Sequence, residues 1–404
     1  MLRYLFVDMN SYFASVEQQE KPELRGQPVG IIPMMAQTTC CIAASYEAKA
    51  FGVKTGTAVH EARRLCPHLH LVVARPRLYV QYHHRIVETV ESCLHVDHVC
   101  SVDEMYGRLM GQEREPEHAV VIAHRVKTAI RDAVGQSLRC SVGLAPNTWL
   151  AKLASDMHKP DGLTMILPEQ LPEVIYRLEL TDLPGISGNM QRRLKQHGVS
   201  HVYQLCRLSL EELSSIWRSR VLGSVWWHQL RGYDLPYRPT RRRTVGHSHV
   251  LPPDRRDIDR AHAVLVRMIH KAAARLRRIG YWAGNLTVSV KFLGGPRWER
   301  RIALGLCRDT LTMLEAFEPV WRDLPAGAPY LVGVVLTHLV TDHSAALPLY
   351  PEQVRRNALA DVIDRLDRKY GWHTLYFGGM HGAREAAPTR ISFTQIPAPD
   401  EFET

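Results

Sequence analysis

No stretch of this sequence approaches the ~20 consecutive apolar residues that a membrane-spanning helix requires. The opening Met1-Leu2-Arg3-Tyr4-Leu5-Phe6-Val7-Asp8 lacks the long apolar core and small-residue cleavage site of a signal peptide. Cysteine is present but unorganised. The eight thiols, at 40, 41, 66, 93, 100, 140, 206 and 307, include no C-x-x-C pair. Cys40 and Cys41 are adjacent, a poor arrangement for a mutual bridge, and Cys66-Pro67-His68 has no second half at zinc-finger spacing. These gaps exclude a disulfide scaffold and a thiolate zinc site, and leave the cysteines as reduced packing residues. Internal repeats and low-complexity tracts are also missing.

What remains is a globular composition: 45% hydrophobic residues in a 404-residue chain, enough for sizeable cores in two to four domains at ~100–200 residues each. The net charge of +10 points to an acidic partner without naming it. Its distribution says more. Residues 236–301 hold 16 Lys/Arg against 4 Asp/Glu, a local net of +12, so the rest of the chain is close to neutral. A concentrated basic stretch inside a folded chain is the electrostatic footprint expected for a polyanion such as nucleic acid.

Two acidic features stand at the ends of apolar runs. Asp8 closes Leu5-Phe6-Val7, and Asp103-Glu104 follows Val96, Val99 and Val102. Alone, an Asp-Glu pair reads as a cap on a solvated strand end. Brought beside Asp8, it would make three hard oxygen ligands suited to Mg²⁺. Neighbouring side chains on a regular strand point to opposite faces. Asp103 and Glu104 can therefore serve one site only at a strand end or irregularity.

Around these residues the pattern alternates strand and helix through residue 166, which argues for an α/β domain. Periodicity predicts helices over Tyr79 to Cys93, Val120 to Val134 and Asn147 to Met157, and a strand over Leu138–Ala145. The block 20–70 reads as a small subdomain of its own. From 167 to 233 the pattern turns to short helices, with a hairpin at Leu183-Pro184-Gly185-Ile186-Ser187-Gly188 whose backbone N–H groups could receive a phosphate. A proline-punctuated basic linker, 235–244, includes Arg241-Arg242-Arg243. Beyond it a β-α-β-β-α-β order is expected, with Thr287, Ser289 and Lys291 on the sheet face away from the helices. On its long helix, Arg260, Arg267, Lys271 and Arg278 form a stripe that by itself reads as a solvated face. The tail, 342–404, has one expected helix, Gln353 to Lys369.

Five segments in this order resemble a Y-family (translesion) DNA polymerase of the bacterial DNA polymerase IV-like group. They are Val7-Asp8-Met9-Asn10-Ser11-Tyr12-Phe13-Ala14, Ala44-Ser45-Tyr46-Glu47-Ala48-Lys49-Ala50-Phe51-Gly52-Val53, Ser101-Val102-Asp103-Glu104, Ser155-Asp156-Met157-His158-Lys159-Pro160-Asp161-Gly162 and the Pro184–Gly188 hairpin. The match covers roughly residues 1–341. It implies an α/β and α+β multidomain, right-hand polymerase: palm at 1–19 and 71–166, small fingers at 20–70, and a helical thumb with a helix-hairpin-helix at 167–234. The basic linker, a little finger at 245–341 and a C-terminal tail of open role would complete it.

The resemblance also implies template-directed DNA synthesis, nucleotidyl transfer from dNTP to a primer 3′-hydroxyl, with low-fidelity bypass of damaged template. Asp8, Asp103 and Glu104, with the Met9 carbonyl, would hold two Mg²⁺ ions ~3.5–4 Å apart. Phe13 would be the steric gate against a 2′-hydroxyl. Tyr46, Lys49 and Lys159 would grip the triphosphate, and Gly185, Gly188, Arg241, Arg242, Arg243 and Lys291 would contact DNA. Primer-template DNA and dNTP are the implied partners, with sliding clamp or mutasome proteins further ones, in a cytoplasmic, nucleoid-associated setting without a membrane.

The chain departs from the family's usual pattern in several places. Lys49 stands where Arg is usual, losing a bidentate grip. Asn10 replaces a frequent Asp, removing a negative charge near the metals. Met105-Tyr106-Gly107-Arg108 replaces Ala-Tyr-Leu-Asp, and no clamp-binding peptide is evident in Asp400-Glu401-Phe402-Glu403-Thr404. The alternatives are a non-catalytic DNA-binding or scaffold relative in a mutagenesis complex, disfavoured by the three retained carboxylates, and another palm-type nucleotidyl transferase such as a nucleotide cyclase, disfavoured by the hairpin and the basic stretch.

Overall fold

In the computed structural model, residues 1–36, 39–236, 241–346, 348–372, 374–391, 396–397 and 402 are described; the middle of the basic linker, 237–240, lies outside them. The chain divides into two compact units, Met1–Tyr237 with Arg390–Pro399, and Arg238–Thr389 with Asp400–Thr404.

The first unit is built on β1 (Tyr4–Met9), whose six residues are all buried. In chain order there follow α1 (Tyr12–Glu20), β2 (Val29–Ile32), β3 (Ala43–Ala44), α2 (Tyr46–Ala50), α3 (Val59–Leu65), β4 (His70–Val73), α4 (Pro76–Glu91), β5 (His98–Val99), β6 (Glu104–Arg108), α5 (Pro116–Ala129), β7 (Cys140–Ala145), α6 (Thr148–Met157) and β8 (Leu163–Met165). The main sheet has the order β5-β6-β1-β7-β8, with β1 antiparallel to both neighbours. A central strand is walled on both sides, which is why Leu5-Phe6-Val7 is a continuous apolar run rather than an alternating one. β3-β2-β4 forms a separate three-stranded sheet with its own small core of Ile32, Cys41, Val53, Val59 and Cys66. Cys41, Cys66, Cys140, Cys206 and Cys307 are buried free thiols; Cys40 is exposed.

Helices α4 and α5 start earlier than apolar periodicity places them. Each begins on a proline, Pro76 and Pro116, at the first turn, where the missing N–H has no helical partner to lose. The expected end of the second, Val134, is a π-type turn, Ile130–Val134, continuing α5. Helix α6 lies against β7 at Gly143, where an added Cβ would come within 1.9 Å of the Ala151 carbonyl oxygen. Only glycine allows that approach. Four short helices, α7 (Gly188–Gln196), α8 (Val202–Arg207), α9 (Leu210–Trp217) and α10 (Arg220–Leu230), complete this unit around Leu194, Leu205, Leu213, Trp226 and Leu230.

The second unit has β9 (Val245–Val250), α11 (Ile258–Arg278), β10 (Tyr281–Phe292), β11 (Arg297–Cys307), α12 (Thr310–Trp321) and β12 (Pro329–Thr341), the expected β-α-β-β-α-β order. Its antiparallel sheet runs β11-β10-β12-β9. Leu286, Val288 and Val290 enter the core with the helices, leaving Thr287, Ser289 and Lys291 on the opposite face. Ser289 is nevertheless buried there, while Lys291 is exposed.

A last helix, α13 (Pro351–Tyr370), and a turn at Gly378–Ala383 follow; the turn packs on α11. That cover overturns the reading of the α11 basic stripe as solvated. Arg267 is 0% exposed, its Nε donating to the Ala386 carbonyl, and the Lys271 ammonium donates to the Ala387 carbonyl at 3.0 Å. Arg260 and Arg278 remain exposed. Among the described residues no helix is long and apolar enough to cross a membrane.

Candidate active site

Asp8 and Glu104 are direct partners across the β1–β6 ladder. Directly opposed residues project to one face of a sheet, so the pairing sets these two carboxylates side by side. Asp103 stands one residue before β6, in a bend outside the ladder. The Cys100 and Ser101 N–H groups both donate to the Glu104 carbonyl, at 2.9 and 3.2 Å, closing a tight turn. The Met9 N–H donates to the Asp103 carbonyl at 2.9 Å. This irregularity frees Asp103 from strand alternation, so Asp103 and Glu104 need not point apart.

The bend is held from behind. His83 of α4, 3% exposed, bonds the Val102 carbonyl through Nδ1 at 2.8 Å. Burial pushes its pKa down to about 4, so the ring is neutral near pH 7 and Nδ1 carries the donated proton. From the front, Ser101 Oγ donates to the Asp103 carboxylate at 2.5 Å.

Burial raises the pKa of both Asp103 and Glu104. For Asp103, the Ser101 hydrogen bond opposes the shift and the Asp8 charge adds to it; for Glu104, Lys152 opposes it and Asp8 and Asp103 add to it. The opposing charge comes chiefly from Lys152 of α6. Its ammonium pairs with Asp8, with Glu104 at 2.8 Å and with Asp156 at 3.0 Å. Burial works against that charge, and the three carboxylates more than reverse the effect. Among the described residues no three His, Cys, Asp or Glu side chains converge at metal-ligating spacing; an amine stands between Asp8 and Glu104. Sequence reasoning missed Lys152. The only signal was its i,i+4 spacing to Asp156, which marks countless solvated helix faces.

A second group of cations gathers beside Asp8. Lys159 pairs with Asp8 at 2.7 Å and Asp156 at 2.8 Å. Lys49 donates to Ser11 Oγ at 2.7 Å and lies 4.3 Å over the Tyr46 ring. Burial, then the Lys159 charge, lowers the Lys49 pKa. Tyr46, Lys49 and Lys159, from α2 and the loop after α6, thus border one site. Phe13 is half-buried, its ring stacked on Tyr79 at 4.5 Å and 15°; the Tyr79 hydroxyl donates to buried Glu17, which pairs with Arg75.

Asn10 does not face the acid cluster. Its amide donates to Ser141 Oγ at 3.0 Å, and its carbonyl accepts the Asp161 N–H at 2.7 Å, tethering the loop that carries Lys159. Gly107 has a local reason as well: a Cβ would come 2.3 Å from the His95 carbonyl oxygen. Arg108 beside it pairs with Asp234 at 2.7 Å.

The residues expected to meet DNA are divided between the two units. Gly185, at φ 96°, and Gly188, the first residue of α7, sit in the first unit. Arg241, Arg242 and Arg243 are exposed ahead of β9, and Lys291 is exposed near the end of β10, in the second unit.

Residues 7–156 match the family model described as impB/mucB/samB family, and residues 242–349 its C-terminal domain. The chain belongs to this family. It is 32% identical to "DNA polymerase IV" of Moorella thermoacetica over 92% of this chain and 94% of that protein, and 30% identical to "DNA polymerase IV" of Pelotomaculum thermopropionicum over 92% and 93%. A Y-family DNA polymerase chimera of Dbh and Dpo4 superposes with a TM-score of 0.71, covering 84% of this chain and 100% of that one at 23% identity. An insertion ternary complex of Dbh DNA polymerase gives 0.57 at the same identity and coverage. This family member therefore has the Y-family polymerase fold.

Proposed function

We propose that this impB/mucB/samB family member is a template-directed DNA polymerase that extends a primer 3′-hydroxyl with dNTP and tolerates damaged templates, with palm, fingers, thumb and little finger bounded as the sequence motifs indicate. The observation that carries the reading is the pairing of Asp8 with Glu104 across β1–β6, with Asp103 released from the ladder beside them. These residues fit a divalent metal by donor chemistry: all are hard oxygens, and burial with the Asp8 charge raises the pKa of Asp103 and Glu104, disfavouring ionised forms that a divalent ion would stabilise. With Asp8 and the Met9 carbonyl they would hold two Mg²⁺ ions, supplying Lewis-acid charge at the primer hydroxyl and the leaving pyrophosphate.

The chain's own side chains do the rest by positioning and charge. Lys49, Tyr46 and Lys159 receive the triphosphate; Lys49 acts as a point charge rather than a fork. Phe13, braced by Tyr79, lies under the sugar and excludes a 2′-hydroxyl. Gly185 and Gly188 at the thumb hairpin, and Arg241–Arg243 and Lys291 beyond, take template and primer phosphates.

Primer extension with purified protein and Mg²⁺ tests the assignment. Asp103→Ala and Glu104→Ala should each lower the rate by roughly a thousandfold or more while primer-template affinity stays within about twofold. Full extension by both variants refutes the polymerase; absence of extension by the wild type with DNA binding intact favours a non-catalytic scaffold. Phe13→Ala should raise ribonucleotide incorporation, and an unchanged preference for dNTP removes Phe13 from the gate. Neutralising Arg241, Arg242, Arg243 and Lys291 should flatten the slope of log K against log salt by about one unit for each phosphate no longer neutralised.

A further inference from the structure

The carboxylates of the acid cluster do not gather at metal-ligating spacing, and the reason is visible: the Lys152 ammonium stands between Asp8 and Glu104. The same amine is held by a second anchor that is no part of the cluster. Asp156, one turn on in α6, binds it at 3.0 Å, and the face of Phe6 lies 5.6 Å away. The lysine therefore has two sets of contacts within one side-chain length, one inside the acid cluster and one on its own helix.

We propose that Lys152 is an internal counter-cation that fills the metal position of the free enzyme and withdraws to Asp156 when divalent metal enters. This rests on the reading of Asp8, Asp103 and Glu104 as the metal-holding residues. Three carboxylates packed together with little solvent repel one another, and a cation within ion-pair distance of two of them relieves that repulsion. Lys152 supplies such a cation to the DNA-free protein. A metal ion replaces that charge but must first displace the amine, so Lys152 weakens the affinity of the empty site for metal. Asp156 lowers the barrier to displacement by receiving the amine outside the cluster. Loading of the site would then depend on the metal arriving with the triphosphate, whose own charge draws Lys159 away from Asp8. Free metal ion alone would load it poorly.

The test is Mn²⁺ affinity of the full-length, DNA-free protein, read by electron paramagnetic resonance, with thermal melting alongside in EDTA and in Mn²⁺. Lys152→Gln should bind Mn²⁺ roughly tenfold or more tightly, melt lower in EDTA, and gain more from Mn²⁺ than the wild type does. Lys152→Arg, which keeps the charge, should stay near wild-type affinity. Asp156→Asn, which removes the outer anchor of Lys152 and of Lys159 and leaves the three cluster carboxylates in place, should loosen Mn²⁺ binding, so the two neutral variants move in opposite directions. Unchanged or weaker Mn²⁺ binding in Lys152→Gln, or tighter binding in Asp156→Asn, overturns the proposal. Asp103→Asn separates the two readings. If it leaves Mn²⁺ binding intact, the metal site itself is misplaced; if it abolishes binding while Lys152→Gln changes nothing, only the role of Lys152 fails.

Discussion

Both units bury charge, and they treat it in opposite ways. In the second unit, Arg277, with its side chain 3% exposed, and Arg308, 19% exposed, meet Asp364 and Asp361 of α13. Asp364 takes the Arg277 guanidinium in a fork, 2.7 Å on each arm, and Asp361 takes Arg308 at 2.6 and 2.7 Å. Arg277 also donates to the Arg308 carbonyl at 2.9 Å and to Thr310 Oγ1 at 3.3 Å. These charges satisfy each other. At the end of β1, Asp8 and Glu104 share the Lys152 amine, Lys159 adds a second pairing to Asp8 alone, and burial pushes the pKa of Asp103 and Glu104 upward. Satisfied buried charge specifies packing; unsatisfied buried charge is a place for something else to bind.

The sharpest separation of the two comes from removing one charge in each. Asp103→Asn should lower extension by roughly a thousandfold or more and at the same time stabilise the metal-free protein by about 0.5–2 kcal/mol, because it removes a carboxylate whose ionised form the fold disfavours. The Ser101 hydrogen bond survives, since the Asn carbonyl still accepts. Chemical denaturation in EDTA measures this, and a destabilised Asp103→Asn would place Asp103 among the structural charges. Arg277→Met should do the reverse. Removing the buried guanidinium and leaving Asp364, 20% exposed, without its fork costs up to about 3 kcal/mol, while extension per folded molecule is unchanged. Arg277→Met with Asp364→Leu should recover most of the loss, and failure to recover would show that the Arg308 and Thr310 contacts carry the stability instead.

The same contrast explains which residues are legible in the sequence. Asp8 and the Asp103-Glu104 pair are legible because each ends an apolar run, and strand ends are where side chains are released from alternation. The side to which Glu104 turns is settled by register, which places it opposite Asp8, and register is a property of two strands nearly a hundred residues apart. Lys152 is illegible for a related reason. Its nearest sequence partner, Asp156, makes it look like a surface helix pair, and its pairing with Asp8, 144 residues away, is set only by the packing of α6 on the sheet. Arg267 looks solvated in the sequence because its cover comes from 119 residues away, from a backbone carbonyl in an Ala/Gly-rich segment with no pattern of its own. Asn10 reads as a missing charge, yet its amide serves a loop whose geometry no local motif records.

His83 stands between the two kinds of burial: a titratable group kept neutral so that it can hold the bend carrying Asp103. The folded protein keeps the ring unprotonated down to about pH 4, against an unperturbed value of 6.5. As pH falls through that window the unfolded chain takes up a proton that the folded one refuses. Stability is thus full above about pH 6.5 and declines toward pH 4, by up to about 3 kcal/mol from this group. His83→Leu should lower stability at pH 7 by about 1–2 kcal/mol, through the orphaned Val102 carbonyl, yet flatten the acid side of the profile. His83→Asn, whose side-chain N–H can reach the same carbonyl, should flatten it equally and restore extension activity relative to the Leu variant. Urea melts at pH 7 and pH 5 decide the matter: if wild type and His83→Leu lose the same stability between them, the ring titrates freely and does not serve as a neutral brace for the bend.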